Sequence, residues 1–155
     1  MPESLTLPDE AATAALGRVL ARALTSPLEA GVCLWLEGEL GAGKTTLARA
    51  ILRALGHAGR VPSPSYTLIE PYELPQGEAY HIDLYRIGSA NEADFLGLAE
   101  LPGPRRLLLI EWPEHGGRRT PAADMRVQLA IGGGGRRARL VPASPAGEAV
   151  LAAMS

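Results

Sequence analysis

The sequence predicts an α/β fold, a mixed central sheet with parallel strands at its core, antiparallel strands at its edges and helices packed against it. Three observations lead there. The apolar run "GVCLWLE" (31–37) passes through a glycine-rich loop into the helical pattern "TTLARAILRALG" (45–56), the strand-to-helix step of a parallel sheet. "LLLIE" (107–111) is an apolar strand of the fully buried type that ends on a carboxylate. "MRVQLAI" (125–131) and "RRARLV" (136–141) flank glycines 132–135, a hairpin signal that adds antiparallel strands.

Taken in order, "SLTL" (4–7) alternates polar and apolar residues as a short edge strand, Pro8 ends it, and Asp9 can N-cap the first helix. In that helix, "EAATAALGRVLARAL" places Leu16, Val19, Leu20 and Leu24 at helical spacing. In the helix after the glycine loop, Leu47, Ile51 and Leu55 share a face and Gly56 suits a C-cap. "RVPSPSYTLIEPY" carries prolines at 62, 64 and 71, which predicts an extended, loop-like start and then a strand over 66–70. "EAYHIDLYRI" reads as a strand in which Tyr80, Ile82 and Leu84 interleave with polar neighbours. "ANEADFLGLAEL" suggests a short helix, and "AGEAVLAAM" a small closing one.

At 155 residues the chain reads as one domain, 1–155, long enough to bury a core without disulfides or metal staples. The net charge is −2, so there is no bulk electrostatic reason to hold nucleic acid, and an RNA-linked role would run through a partner. A single cysteine, Cys33, excludes an internal disulfide and reads as a small buried apolar residue in a reducing, cytoplasmic setting. The start of the chain is acidic, unlike a signal peptide, and the longest apolar runs fall short of a membrane span.

The chemistry concentrates in "GELGAGKTT" (38–46). Gly38, Gly43, Lys44 and Thr45 fit G-x-x-x-x-G-K-[ST], the phosphate-binding P-loop, and the strand before and helix after it are the required context. Main-chain N–H groups must converge on phosphate with no Cβ in the way, which calls for glycine at 38, 41 and 43. The helix beginning at Lys44 adds unpaired N–H donors and a partial positive charge. Lys44 is the only lysine among fifteen basic residues. Its compact ammonium suits a tightly wrapped loop reaching the β- and γ-phosphates, where arginine's planar fork fits less well. Thr45 offers a hydroxyl to Mg²⁺. The fold class is therefore a three-layer P-loop NTPase fold.

A magnesium-holding carboxylate is wanted at the end of a buried strand, where Glu111 stands. Asp83, in "HIDLY", is the other candidate, either acting on the attacking water or completing the metal shell. Ser63 and Ser65 lie in the proline-flanked loop where a γ-phosphate sensor belongs. His57, His81 and His115 share no metal-ligand spacing; Trp112 and Tyr85 read as packing residues unless a neighbour recruits them. The arginine pairs 105/106, 118/119 and 136/137 read as solvated faces, though Arg136 is placed to reach a nucleotide phosphate. The guanine-reading N-K-x-D is missing, which favours ATP over GTP. No acceptor pocket is legible for a small-molecule kinase, which stays as the alternative, beside a regulatory module in which ATP only switches a binding surface.

In their order and spacing, "GELGAGKTT", "VPSPSYTLIEPY", "HIDLYR" and "LLLIEWPE" resemble the bacterial TsaE family, small ATPases needed for threonylcarbamoyladenosine modification of tRNA. The resemblance runs from about residue 7 to residue 141. It implies an ATP- and Mg²⁺-dependent ATPase that resets a TsaB–TsaD complex between rounds and meets tRNA only through that complex. Gly41, Ala42, Gly43, Lys44, Thr45 and Thr46 would wrap the phosphates, Thr45 and Glu111 would hold Mg²⁺, and Lys44, Asp83 and Glu111 would be the catalytic set. Asp83 would sit beside the γ-phosphate, with residues 63–66 as a switch-like loop. Asp9 lies where the family contacts adenosine, Arg136 where it contacts the nucleotide from the far hairpin, and Trp112 comes after Glu111 as in the family pattern. Ser65 departs from the family's usual threonine, keeping the hydroxyl and losing a methyl.

Overall fold

The computed structural model describes residues 3–88 and 90–155. Within them seven strands form one sheet. Its centre is β2 (Val32–Glu37), with β5 (Arg106–Glu111) and β6 (Met125–Gly132) parallel on either side. Beyond β5, β4 (Gly77–Asp83) is also parallel, and β3 (Ile69–Leu74) closes that flank antiparallel. Beyond β6, β7 (Gly135–Pro142) and β1 (Glu3–Leu7) are antiparallel and form the other flank. The predicted parallel core and antiparallel edges are both present.

Strand alternation sorts the side chains onto two faces. On one, Leu34, Leu36, Leu107, Leu109 and Val127 pack against Leu16, Leu20 and Leu24 of α1 (Glu10–Leu24) and Leu47 and Ile51 of α2 (Lys44–Ala54). α4 (Pro145–Ala153) joins this layer through Val150. On the other face Cys33, Ile82, Leu108 and Ile110 meet Ala93 of α3 (Ala90–Phe95) and Leu98 of a 3-10 turn. The result is three layers. Cys33 is buried as expected, and burial pushes its thiol far above the ordinary range, so it behaves as an apolar filler.

Helix ends obey local chemistry. Asp9 Oδ1 accepts from the Ala12 N–H at 2.9 Å and so N-caps α1. α2 ends at Ala54 with Leu55 as its C-cap, one residue before the expected cap, and Gly56 follows at a φ of +115°. The Gly56 and His57 N–H groups donate back to the carbonyls of Arg53 and Leu52, which closes a Schellman turn.

Three expectations move. The strand expected over 66–70 begins at Ile69 and continues to Leu74, because residues 64–67 form a turn and Leu68 has a φ of +68°. Pro71 does not stop it: β3 is an edge strand, where a missing N–H on the outer side breaks no ladder. The strand expected to run past Asp83 ends there, and Leu84 is buried just beyond it. The short helix expected over 90–101 divides at Gly97 into α3 and the 3-10 turn Leu98–Glu100.

Candidate functional site

The carboxyl ends of β2, β4 and β5 open onto one cavity of about 420 Å³, at the edge of the sheet where α/β proteins place ligands. The chain leaves β2 into the glycine loop, so Gly41, Gly43, Lys44, Thr45 and Thr46 line the cavity directly. Gly43 stands at the N-cap of α2 with a φ of +103°, and no side chain caps the helix. The first N–H groups of α2 therefore face the cavity with no side-chain acceptor, which is the electrostatic requirement for an anion. Ala42 is the exception in the loop. It is buried, and its N–H donates to the Glu39 carbonyl at 3.1 Å.

The glycines differ in what they need. A Cβ on Gly43 or Gly41 would meet nothing within 4 Å, and the positive φ alone selects glycine there. At Gly38 a Cβ would come 2.4 Å from the Leu129 carbonyl oxygen, so it is the approach of β6 that leaves no room.

Lys44 is almost fully buried and donates from Nζ to the carbonyls of Gly38 and Glu39. Burial pulls its pKa below the ordinary lysine value, while Glu111 and Asp83 act in the opposite direction. Thr45 Oγ lies 3.0 Å from each Glu111 carboxylate oxygen. Asp83 ends β4 in register with Glu111 at the end of β5, so the two carboxylates stand side by side. Only 6% of Asp83 is exposed, and burial pushes its pKa up; an Oδ1 bond from the Tyr85 N–H at 2.9 Å opposes that shift and the Glu111 charge adds to it. Among the described residues no three His, Cys, Asp or Glu side chains form a metal cage of their own.

Residues distant in sequence complete the wall. Asp9, leading into α1, and Arg136, at the start of β7, line the same cavity, and Arg136 Nε donates to the Gly41 carbonyl at 3.1 Å. Ser65 also lines it, its hydroxyl 2.8 Å from that of Ser63. The other arginine pairs lie away: Arg106 pairs with Glu78 and donates to the carbonyls of Glu100 and Leu101, and Arg119 pairs with Asp94.

Trp112 packs against the α3-side core, and both it and Tyr85 are also recruited by neighbours, the condition the sequence left open. Both line the cavity, and the Lys44 ammonium sits 4.1 Å from the centroid of the Trp112 ring. Trp112 takes the left-handed conformation (φ 56°, ψ 50°) directly after Glu111, and its ring is braced by Tyr85 and His115. The His115 Nδ1–H in turn reaches the carbonyls of Leu84 and Tyr85. His81 was missed. Fully buried two residues before Asp83, it stands 2.6 Å from a Glu111 oxygen. Its signal was the period of two in "HID", which puts His81 on the face of Asp83.

Residues 7–139 match the family described as "Threonylcarbamoyl adenosine biosynthesis protein TsaE". A relative from Haemophilus influenzae, "tRNA threonylcarbamoyladenosine biosynthesis protein TsaE", is 37% identical over 156 residues, covering 99% of each chain. The protein of the same name from Bacillus subtilis is 31% identical, with 77% of this chain and 75% of that one covered. Among solved structures, the crystal structure of Bacillus subtilis YdiB superposes with a TM-score of 0.68 at 25% identity, covering 99% of this chain and 93% of that one.

Proposed function

This chain belongs to the TsaE family of tRNA threonylcarbamoyladenosine biosynthesis, and from that premise we propose that it is an ATP-binding, Mg²⁺-dependent ATPase whose turnover is driven by a TsaB–TsaD complex. The observation that carries the reading is the convergence of the only lysine, an uncapped helix start and two buried carboxylates on one cavity. The site fits a divalent cation. Asp83 and Glu111 place two carboxylates side by side next to the buried Lys44 ammonium, and a hydroxyl–carboxylate pair is the oxygen donor set that Mg²⁺ takes beside phosphates. Thr45 and Glu111 would hold it, and when bound it neutralises charge on the terminal phosphates.

The chain's own residues supply the rest. Gly41, Gly43 and the first N–H groups of α2 cradle phosphate oxygens, with Thr46 lining the wall beside them. Lys44 leaves the carbonyls of Gly38 and Glu39 for those oxygens, a short movement for a flexible stem. Asp83 orients the attacking water at the terminal phosphate. Asp9 and Arg136 close the cavity on the nucleoside side.

The rim supports a partner. Leu40, Tyr66, Tyr85 and Ile131 are the exposed large hydrophobic residues among those described. Leu40 and Tyr85 line the cavity itself. Tyr66, 81% exposed, is next to Ser65 and lies under Arg86, and Ile131 pairs with Arg136. Apolar surface gathered at one mouth is what a docking partner covers. A charge supplied in trans is worth roughly 10³–10⁵ in rate for phosphoryl transfer. With a net charge of −2 the protein meets tRNA through the complex.

The test is ATP hydrolysis by the purified chain with and without TsaB–TsaD. Slow turnover alone, strong stimulation by the complex and loss of both in Lys44→Ala are expected. Equal rates with and without the complex would refute the partner requirement, and no calorimetric response to ATP with Mg²⁺ would refute nucleotide binding itself.

A further inference from the structure

We infer that His81 is a positioning residue, whose buried Nε2–H fixes the Glu111 carboxylate against Thr45 in the orientation that can take a divalent cation. The inference rests on the magnesium–nucleotide reading above and assigns a role to a residue that reading does not use.

The geometry is specific. β4 and β5 run parallel with Asp83 opposite Glu111, and His81 one alternation earlier on the same face as Asp83. From there the imidazole Nε2 reaches Glu111 Oε2 at 2.6 Å, while Thr45 Oγ faces both carboxylate oxygens at 3.0 Å. Glu111 is thus gripped from two sides, by a strand on one and the first turn of α2 on the other.

His81 is fully buried, and its Nδ1 has no hydrogen-bond partner among the described residues. That asymmetry fixes the tautomer. A proton on Nδ1 would bury an unmatched N–H and leave Nε2 without a hydrogen facing a carboxylate, whereas a proton on Nε2 leaves only an unmatched lone pair. A buried imidazole held at this cost, with one nitrogen unused, has its purpose at the other nitrogen. Without that donor, Glu111 keeps only the Thr45 contact and can swing toward the Lys44 ammonium, losing its aim. Carboxylates that bind metals are generally held by such outer hydrogen bonds, and removing one typically lowers metal affinity about 10- to 100-fold.

The experiment compares ATP affinity in Mg²⁺ with that in EDTA by calorimetry, on full-length wild type, His81→Leu, His81→Asn and His81→Gln. The readout is the magnesium-dependent gain, the ratio of the two Kd values, and no turnover is needed. In His81→Leu the gain should fall about tenfold or more, with affinity in EDTA changed less than about twofold. Glutamine can carry an N–H to the Nε2 position and should restore most of the gain, whereas asparagine is one bond too short and should not. The Gln–Asn contrast decides the matter even if the Leu chain does not fold. A gain as large in His81→Asn as in His81→Gln and wild type would overturn the inference while leaving the nucleotide site intact. A wild-type protein indifferent to Mg²⁺ would overturn the proposed function, and this inference with it.

Discussion

Asp83 is buried at the end of a strand beside a second carboxylate, an arrangement that favours its neutral form. Because its folded-state pKa lies above the unfolded value of 3.8, its ionisation works against folding at neutral pH. The stability linked to this group is fully present below pH 3.8 and is lost as pH rises through the elevated folded value. Asp83→Asn keeps the acceptor for the Tyr85 N–H and removes the charge. It should raise the melting temperature at pH 7, with the gain vanishing near pH 3.8, and it should abolish ATP turnover. Thermal unfolding of both proteins across that range checks the sign. A destabilised variant that still hydrolyses ATP would contradict the assignment. At this scale Lys44, Thr45 and Glu111 are legible in the sequence because a motif or strand end demands each type where it stands. His81 and Trp112 are not, since their roles depend on which neighbour the sheet register and a left-handed turn bring within reach.

The glycine loop joins two demands that a sequence pattern cannot separate. Gly43 needs only its positive φ, so Gly43→Ala should cost about 1 kcal/mol of stability yet crowd the phosphate cradle and remove ATP binding. Gly38→Ala forces a methyl into the Leu129 carbonyl of the neighbouring strand and should cost about 3 kcal/mol. Differential scanning calorimetry alongside nucleotide titration distinguishes them, one variant losing function at near-native stability and the other losing stability first. Elements defined by burial on both faces, β2 and β5, could be read directly from their apolar runs. β3 could not, because Pro71 reads as a break until the strand is known to lie at an edge, and the turn over 64–67 displaces its start.

The cavity draws on both ends of the chain, Asp9 from the entry to α1 and Arg136 from the last hairpin, with the P-loop between them. Bound nucleotide would therefore tie the β1–β7 flank to the centre of the sheet. At 100 times Kd a ligand specific to the folded state adds about 2.7 kcal/mol. For a chain of this size that raises the melting temperature by roughly 5–11 °C. ATP with Mg²⁺ should produce this shift in wild type and none in Lys44→Ala. The opposite flank has a different consequence. Its outermost strand offers a would-be neighbour Pro71 with no N–H to donate, set between Glu70 and Glu73. A second copy would meet a ladder broken at its middle and bordered by carboxylates, which disfavours sheet-to-sheet growth from that flank at high concentration.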